Sequence, residues 1–241
     1  MTERISGPSA VSSAWSAFKK NWKFIVPAVL VTVVVYVVLQ ALQQNSQQHV
    51  FLSLIIALIA TIVGIAVTLG WSNIVLKLVR NHSVDWNDFK TNTKSWFPYF
   101  LARLIYALFM IVAALVIGAP LILILGSAIT ASPVLMVIGI ILSLAGVILF
   151  IWIAIRYMFV SFVIIDHPQM GAWSIMKESA RLTKGHTVEL FVFGLLLLLV
   201  NIVGLILIVI GLIITVPVSK IAAGYVYEQL KGKHHAHQIK D

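Results

Sequence analysis

Apolar residues along this chain come in runs too long for the strands or half-buried helices of a water-soluble fold. A membrane-crossing helix needs about 20 mainly apolar residues, and runs at residues 22–42, 50–79, 97–125 and 134–165 reach that length. A further run, residues 188–227, is ambiguous by length. As one helix it would rise about 60 Å at about 1.5 Å per residue, twice a hydrocarbon core of about 30 Å. It would also carry Lys231, Lys233 and Lys240 to the side opposite every other basic cluster, so it is expected to turn back between Asn201 and Gly211. The polar stretch QQNSQQH at residues 43–49, and GSAIT followed by Ala131, Ser132 and Pro133, are read as two outer turns. The pattern therefore predicts an all-α integral membrane protein with six transmembrane helices in three hairpins.

A short pattern precedes each outgoing crossing: WSAFK at residues 15–19, WNDFK at 86–90 and WSIMK at 173–177. In the first copy Val11, Ala14, Trp15, Phe18 and Trp22 share one helical stripe while Lys19 and Lys20 face away, as in a helix lying in the headgroup layer. The second copy opens with Asp85 as N-cap and sets Trp86, Phe89 and Trp96 on one side. The third opens with Asp166 and Pro168, suited to a helix start, and aligns Trp173, Met176 and Ala180. Each hairpin is thus expected to follow a cytoplasmic amphipathic helix. Trp15, Phe18, Trp86, Phe89, Trp173 and Met176 are candidate interfacial anchors, because an indole places an apolar ring beside an N–H that wants water. Two readings of the recurrence stay open: a threefold repeat over residues 9–79, 80–165 and 166–230, or membrane anchoring without duplication. Either way residues 1–233 read as one transmembrane domain, and 234–241 as a polar, His-containing tail.

Composition agrees with the pattern. The 241 residues are 61% hydrophobic and 10% charged, with a mean hydropathy of +1.03, against about 45–50% apolar and 25% charged in soluble domains. The net charge of +9 adds an orientation. Arg4, Lys19, Lys20 and Lys23 precede the first crossing; Lys77, Arg80, Lys90, Lys94 and Arg103 surround the second loop; Arg156, Lys177, Arg181 and Lys184 surround the next; Lys220, Lys231, Lys233 and Lys240 lie toward the C-terminus. These are all 17 Lys and Arg, and the three expected outer turns carry none. Basic residues accumulate in cytoplasmic loops, so both termini are expected inside, in the plasma membrane of a prokaryote, with no nucleic-acid partner. The first apolar run follows a mixed segment without an A-x-A exit, so no cleavable leader is expected.

Catalytic chemistry leaves no trace in the sequence. Without Cys there is neither disulfide nor thiolate metal site. HExxH, GxSxG and a Gly-rich phosphate loop before a helix are absent. All eight acidic residues fall in or beside expected cytoplasmic segments, so no carboxylate pair sits at mid-bilayer. The tail KHHAHQ reads as solvated, and the sequon at Asn81, His82 and Ser83 lies on the side where it would not be glycosylated. No enzyme activity, cofactor or metal is expected.

Ionisable residues inside apolar runs are the default functional candidates of a membrane chain. Arg103, Arg156 and Lys220, with Lys184 close by, are candidate lipid- or anion-binding residues, and Glu189 is a candidate ion-pair partner. Arg103 and Glu189 stand near helix starts and can reach the interface, because side chains tilt toward the helix N-terminus. Arg156 and Lys220 sit on inward-running helices and lean toward the membrane centre. Lys220 lies seven residues before Tyr227, a depth of about 10 Å. Both need a partner: Glu189, helix C-terminal carbonyls, or a lipid phosphate. Tyr36, Thr61, Thr68, Asn73 and Asn201 are expected to hydrogen-bond between helices, and Ala60 with Gly64 or Gly139 with Ser143 to permit close approach.

SARLTKG, containing Ser179, Leu182, Thr183, Lys184 and Gly185, resembles the segment before the fifth helix in a broad prokaryotic family of six-helix membrane proteins. That family includes the membrane domain fused to some glycerophosphodiester phosphodiesterases, together with stand-alone members. GLIITVP at residues 211–217, followed by AAGY at 222–225, resembles its sixth helix. This sequence carries no soluble phosphodiesterase domain, so the resemblance implies a fold and a membrane but no reaction. The leading expectation is a non-catalytic membrane protein that engages anionic lipid or amphiphile at the cytoplasmic leaflet. The alternatives are a small-solute transporter or exporter, and a scaffold for a partner membrane protein or a second copy of the chain.

Overall fold

The computed structural model describes residues 6–46, 48–130, 132–207 and 210–238, and among these no strand occurs. The helices are α1 (Gly7–Asn45), α2 (Val50–Val79), α3 (Trp96–Thr130), α4 (Pro133–Arg156), α5 (Val160–Asp166), α6 (Ala172–Leu182), α7 (Thr187–Ile206) and α8 (Ile210–Gln238). Two 3-10 turns, Trp86–Phe89 and Thr93–Ser95, link α2 to α3. Segments Gly7–Asn45, Val50–Val79, Trp86–Gly126, Pro133–Asp166 and Thr187–Ile206 are long and apolar enough, by length and composition, to cross a membrane.

Packing is concentrated at one end. The core joins Ala14 and Phe18 of α1, Ile74 to Val79 of α2, Phe159 and Val163, Ile175 and Met176 of α6, and Ile221 to Leu230 of α8. These elements carry Lys20, Arg80, Lys177 and Lys231, so the packed end is also the basic end. Beyond it large apolar side chains such as Val34, Leu58, Leu115, Ile148 and Leu199 face outward. Exposed apolar surface on that scale is the signature of a helix bundle whose solvent is lipid. The final apolar run is two helices, breaking at Leu207 after α7, and α8 packs on both α7 and α1. α3 and α4 approach closely at Gly139 and Gly146, where an added Cβ would stand 2.9 Å from the Pro120 carbonyl oxygen and 2.9 Å from the Ile117 nitrogen, respectively.

Four expectations need correction. The first amphipathic segment is no separate helix: it is continuous with α1 and set off by a kink at Asn21 (φ −116°, ψ 15°). The Asn21 side chain donates to the Ala17 carbonyl at 3.0 Å and so competes with the backbone ladder there. The second segment is a pair of 3-10 turns, not an amphipathic α-helix. Asp85 does cap the first turn, with Asn87 N–H donating to Asp85 Oδ1 at 2.7 Å and Asp85 N–H donating to Asp88 Oδ2 at 2.9 Å.

The third segment, α6, starts at Ala172 with Gly171 as N-cap, whereas Asp166 ends α5. The run at 134–165 is broken between α4 and α5, at Tyr157 to Phe159. The break has a visible cause in two reciprocal bonds to α6: Arg156 Nη1 donates to the Ala180 carbonyl at 2.6 Å, and Ser179 Oγ donates to the Arg156 carbonyl at 3.0 Å. The expected tail at 234–241 is helical backbone through Gln238.

Candidate functional site

The three copies of the short pattern have a common logic of facing. Trp15, Trp86 and Trp173 are exposed, while Phe18 and Met176 are buried in the core and Phe89 is half-buried against Trp71 at 5.6 Å between ring centroids. Phe18 and Met176 therefore hold the segment to the bundle and do not face a headgroup layer. Lys19 lies over the Trp15 ring at 6.0 Å, which keeps an ammonium beside the exposed indole.

The four candidate cations separate into two environments. Arg156 finds the helix C-terminal partner: besides the Ala180 carbonyl it lies 5.2 Å over the Trp152 ring. It borders a cleft of about 600 Å³ that exposed Lys184 also lines. Among the described residues no ion pair joins Glu189 to Arg156 or Lys220; Glu189 Oε2 lies 2.9 Å from His186 Nδ1 on the same segment.

Lys220 and Arg103 form the other environment. Lys220 lines a groove of about 190 Å³ between α1, α2 and α8, with walls made by Val29, Val33, Val67, Val216 and Pro217. Tyr36, Thr32, Thr68 and Trp71 add the polar atoms. Trp71 Nε1 donates to Thr32 Oγ1 at 3.1 Å, Thr32 returns its proton to the Ala28 carbonyl at 2.8 Å, and Thr68 donates to the Gly64 carbonyl at 2.7 Å. Thr32, Thr68 and Trp71 are therefore satisfied locally, whereas the Lys220 ammonium has no hydrogen-bond or ion-pair partner among the described residues. Lys220 is exposed along the groove, and it lies within the field of Arg103. Tyr99 of α3 lies beside both Arg103 and Thr68. Among the described residues no carboxylate pairs with Lys220 or Arg103.

The sequence reading missed the principal ion cluster. Asp166, its side chain 6% exposed, accepts from Arg80 Nη2 at 2.8 and 2.9 Å, from Lys231 Nζ at 2.6 Å and from the Tyr227 hydroxyl at 3.0 Å. Arg80 Nε also donates to Glu228 at 2.9 Å. Burial works to lower the Arg80 pKa, but hydrogen bonds and the charges of Asp166 and Glu228 outweigh it and hold the guanidinium above its ordinary range. Nearby, Lys77 pairs with Asp88, whose carbonyl also accepts from Asn73 Nδ2 at 2.8 Å. The acid–base partners of the first cluster are 65 to 148 residues apart in the chain, so no local spacing could have revealed them.

Over residues 12–234 the chain matches the family described as Protein of unknown function (DUF975), and it belongs to that family. The match is to an uncharacterised family and shows no link to the glycerophosphodiester phosphodiesterase membrane domain. No curated protein matches the chain, and no solved structure matches it.

Proposed function

We propose that this chain is a non-catalytic, multi-pass membrane protein that holds an anionic amphiphile, with the head at Lys220 and Arg103 and a chain along the groove between α1, α2 and α8. One observation carries the reading: a lysine within an apolar helix opens into an apolar-walled groove, beside a second cation, with no described carboxylate to balance either. An unbalanced cation at that depth is costly, and a headgroup phosphate would supply both the charge and the hydrogen bonds. The walls are mainly apolar, with Val29, Val33, Val67, Val216 and Pro217 suited to an acyl chain.

Orientation follows the charge. α8 is the sixth crossing, both termini are cytoplasmic, and the basic end faces the inner leaflet of a prokaryotic plasma membrane; this rests on the absence of Lys and Arg from the expected outer turns. Of the original candidates, Arg156 and Lys184 fall outside the site, since they border a different cleft.

Native mass spectrometry of the full chain, gently solubilised from its membrane, tests the reading. The expected result is retained anionic lipid of fixed stoichiometry on the wild type, lost in the Lys220→Gln, Arg103→Gln double variant. Equal retention by the two proteins, or none by the wild type, would overturn it.

A further inference from the structure

A second cleft, of about 630 Å³, lies at the basic end between the start of α1, the end of α2 and α8. It shares no lining residue with the Lys220 groove. Three separate backbone features build it. The first turns of α1 present Ser12, Ser16 and Lys20 along one side, and the kink at Asn21 ends that stretch.

The end of α2 supplies the opposite side through a defined cap. His82 N–H donates to the Lys77 carbonyl at 2.9 Å and Asn81 N–H to the Leu78 carbonyl at 3.1 Å, while Asn81 takes φ 59°. That is a Schellman cap with Asn in the left-handed position, and it turns Asn81, His82 and Ser83 into the cleft. Tyr225 of α8 closes the third side.

Apart from Asn21, which donates to the Ala17 carbonyl, and half-buried Tyr225, the polar side chains named around this cleft are exposed and without a partner in the described chain. Ser53, Thr61, Thr68 and Ser72 on α2 each return the hydroxyl proton to a carbonyl three or four residues back. Ser12, Ser16, Ser83, Asn81, His82 and Lys20 make no side-chain hydrogen bond to any described residue. No carboxylate lines the cleft. The array therefore holds the Lys20 ammonium, the Asn81 amide, the His82 ring and several hydroxyls able to donate and accept.

We infer that this cleft binds a phosphate ester that carries free hydroxyl groups, whether as a lipid headgroup or as a soluble ester. Lys20 and the Asn81 amide face the phosphate, whose oxygens need charge and donors. The serine hydroxyls match the polyol, which needs donors and acceptors together. A volume within the roughly 300–1,000 Å³ of small-molecule sites accommodates both parts. A purely apolar ligand would leave these groups unmatched, and an anion without hydroxyls would leave the serines unmatched.

The test uses the full chain in phosphatidylcholine nanodiscs, titrated calorimetrically with glycerol 3-phosphate. Binding in the submillimolar range is expected, with inorganic phosphate at least several-fold weaker and glycerol silent. Lys20→Gln and Asn81→Gly should each weaken it about tenfold, glycine being chosen because it keeps the left-handed cap while removing the amide. Nanodiscs doped with phosphatidylglycerol separate the sources. Competition by the lipid identifies a headgroup site, and unchanged titration identifies a soluble ester. Absence of heat with glycerol 3-phosphate in plain nanodiscs, or affinity that both variants leave untouched, would overturn the inference. It would not touch the Lys220 reading, whose residues are different.

Discussion

Two regions of the molecule hold the same kinds of cation and treat them in opposite ways. At the basic end Arg80 and Lys231 converge on Asp166, with Tyr227 and Glu228 completing the set. Higher in the bundle Lys220 and Arg103 lie within each other's field, and no described carboxylate joins them. The first arrangement ties the ends of α2, α5 and α8 into one body, and every charge is answered from within the chain. The second leaves positive charge without a described carboxylate beside a mainly apolar groove. On the proposed reading, charge type alone does not mark a functional residue in such a protein; the presence or absence of an internal answer does.

The largest effect expected from breaking the comparison is at Asp166. Asp166→Asn keeps the shape, removes the charge, and leaves Arg80 and Lys231 facing each other. Loss of one member of a buried pair costs about 3–5 kcal/mol, but both cations are about a third exposed and screened, which brings the expectation to roughly 2–3 kcal/mol. Thermal unfolding in mild detergent should show Tm lower by roughly 5–10 °C. An unchanged Tm would mean that the cluster does not hold α2, α5 and α8 together.

Arg156 ranks next, because its answer is a carbonyl and an aromatic face and not a carboxylate. Arg156→Ala gives up the bond to Ala180 and the contact with Trp152, worth about 1–2 kcal/mol together. Retained lipid should not change. If Arg156→Ala released the lipid and left Tm alone, the division between answered and unanswered cations would be drawn in the wrong place.

The fold was legible where one physical rule acted alone. Apolar length set α2 at Val50–Val79 to the residue, and the rise per residue required the break that separates α7 from α8. Gly139 and Ser143 do mark close packing, with Ser143 Oγ donating to the Ile117 carbonyl at 3.2 Å. Gly64, by contrast, meets only the Tyr36 hydroxyl at 3.9 Å, because a small residue permits an approach without causing one. Composition could not disclose tertiary hydrogen bonds, so the Arg156 to Ala180 clamp that divides α4 from α5 stayed hidden. The same limit applies to the site. Lys220 stood out as an intramembrane ion, yet its separation from Arg156 and its nearness to Arg103 depend on which helices meet.

The smallest expected effect on stability is the sharpest test. Lys220→Met keeps length and stem while removing a charge that nothing described answers, and it matches the valines and proline of the groove wall. A structural lysine would lose stability on this change. An unanswered one should lose none, and could gain about 1 kcal/mol from the removed desolvation cost. In neutral detergent Tm should therefore be equal to or slightly above the wild-type value. Added anionic lipid then separates the proteins: bound ligand at about 100 times its Kd stabilises by about 2.7 kcal/mol, which the wild type should register and the variant should not. A variant that falls by more than about 1 kcal/mol in neutral detergent, well above the scatter of surface changes, would make Lys220 part of the framework. The contrast between the two regions would then be one of degree, with the groove cations answered by dipoles of the surrounding helices.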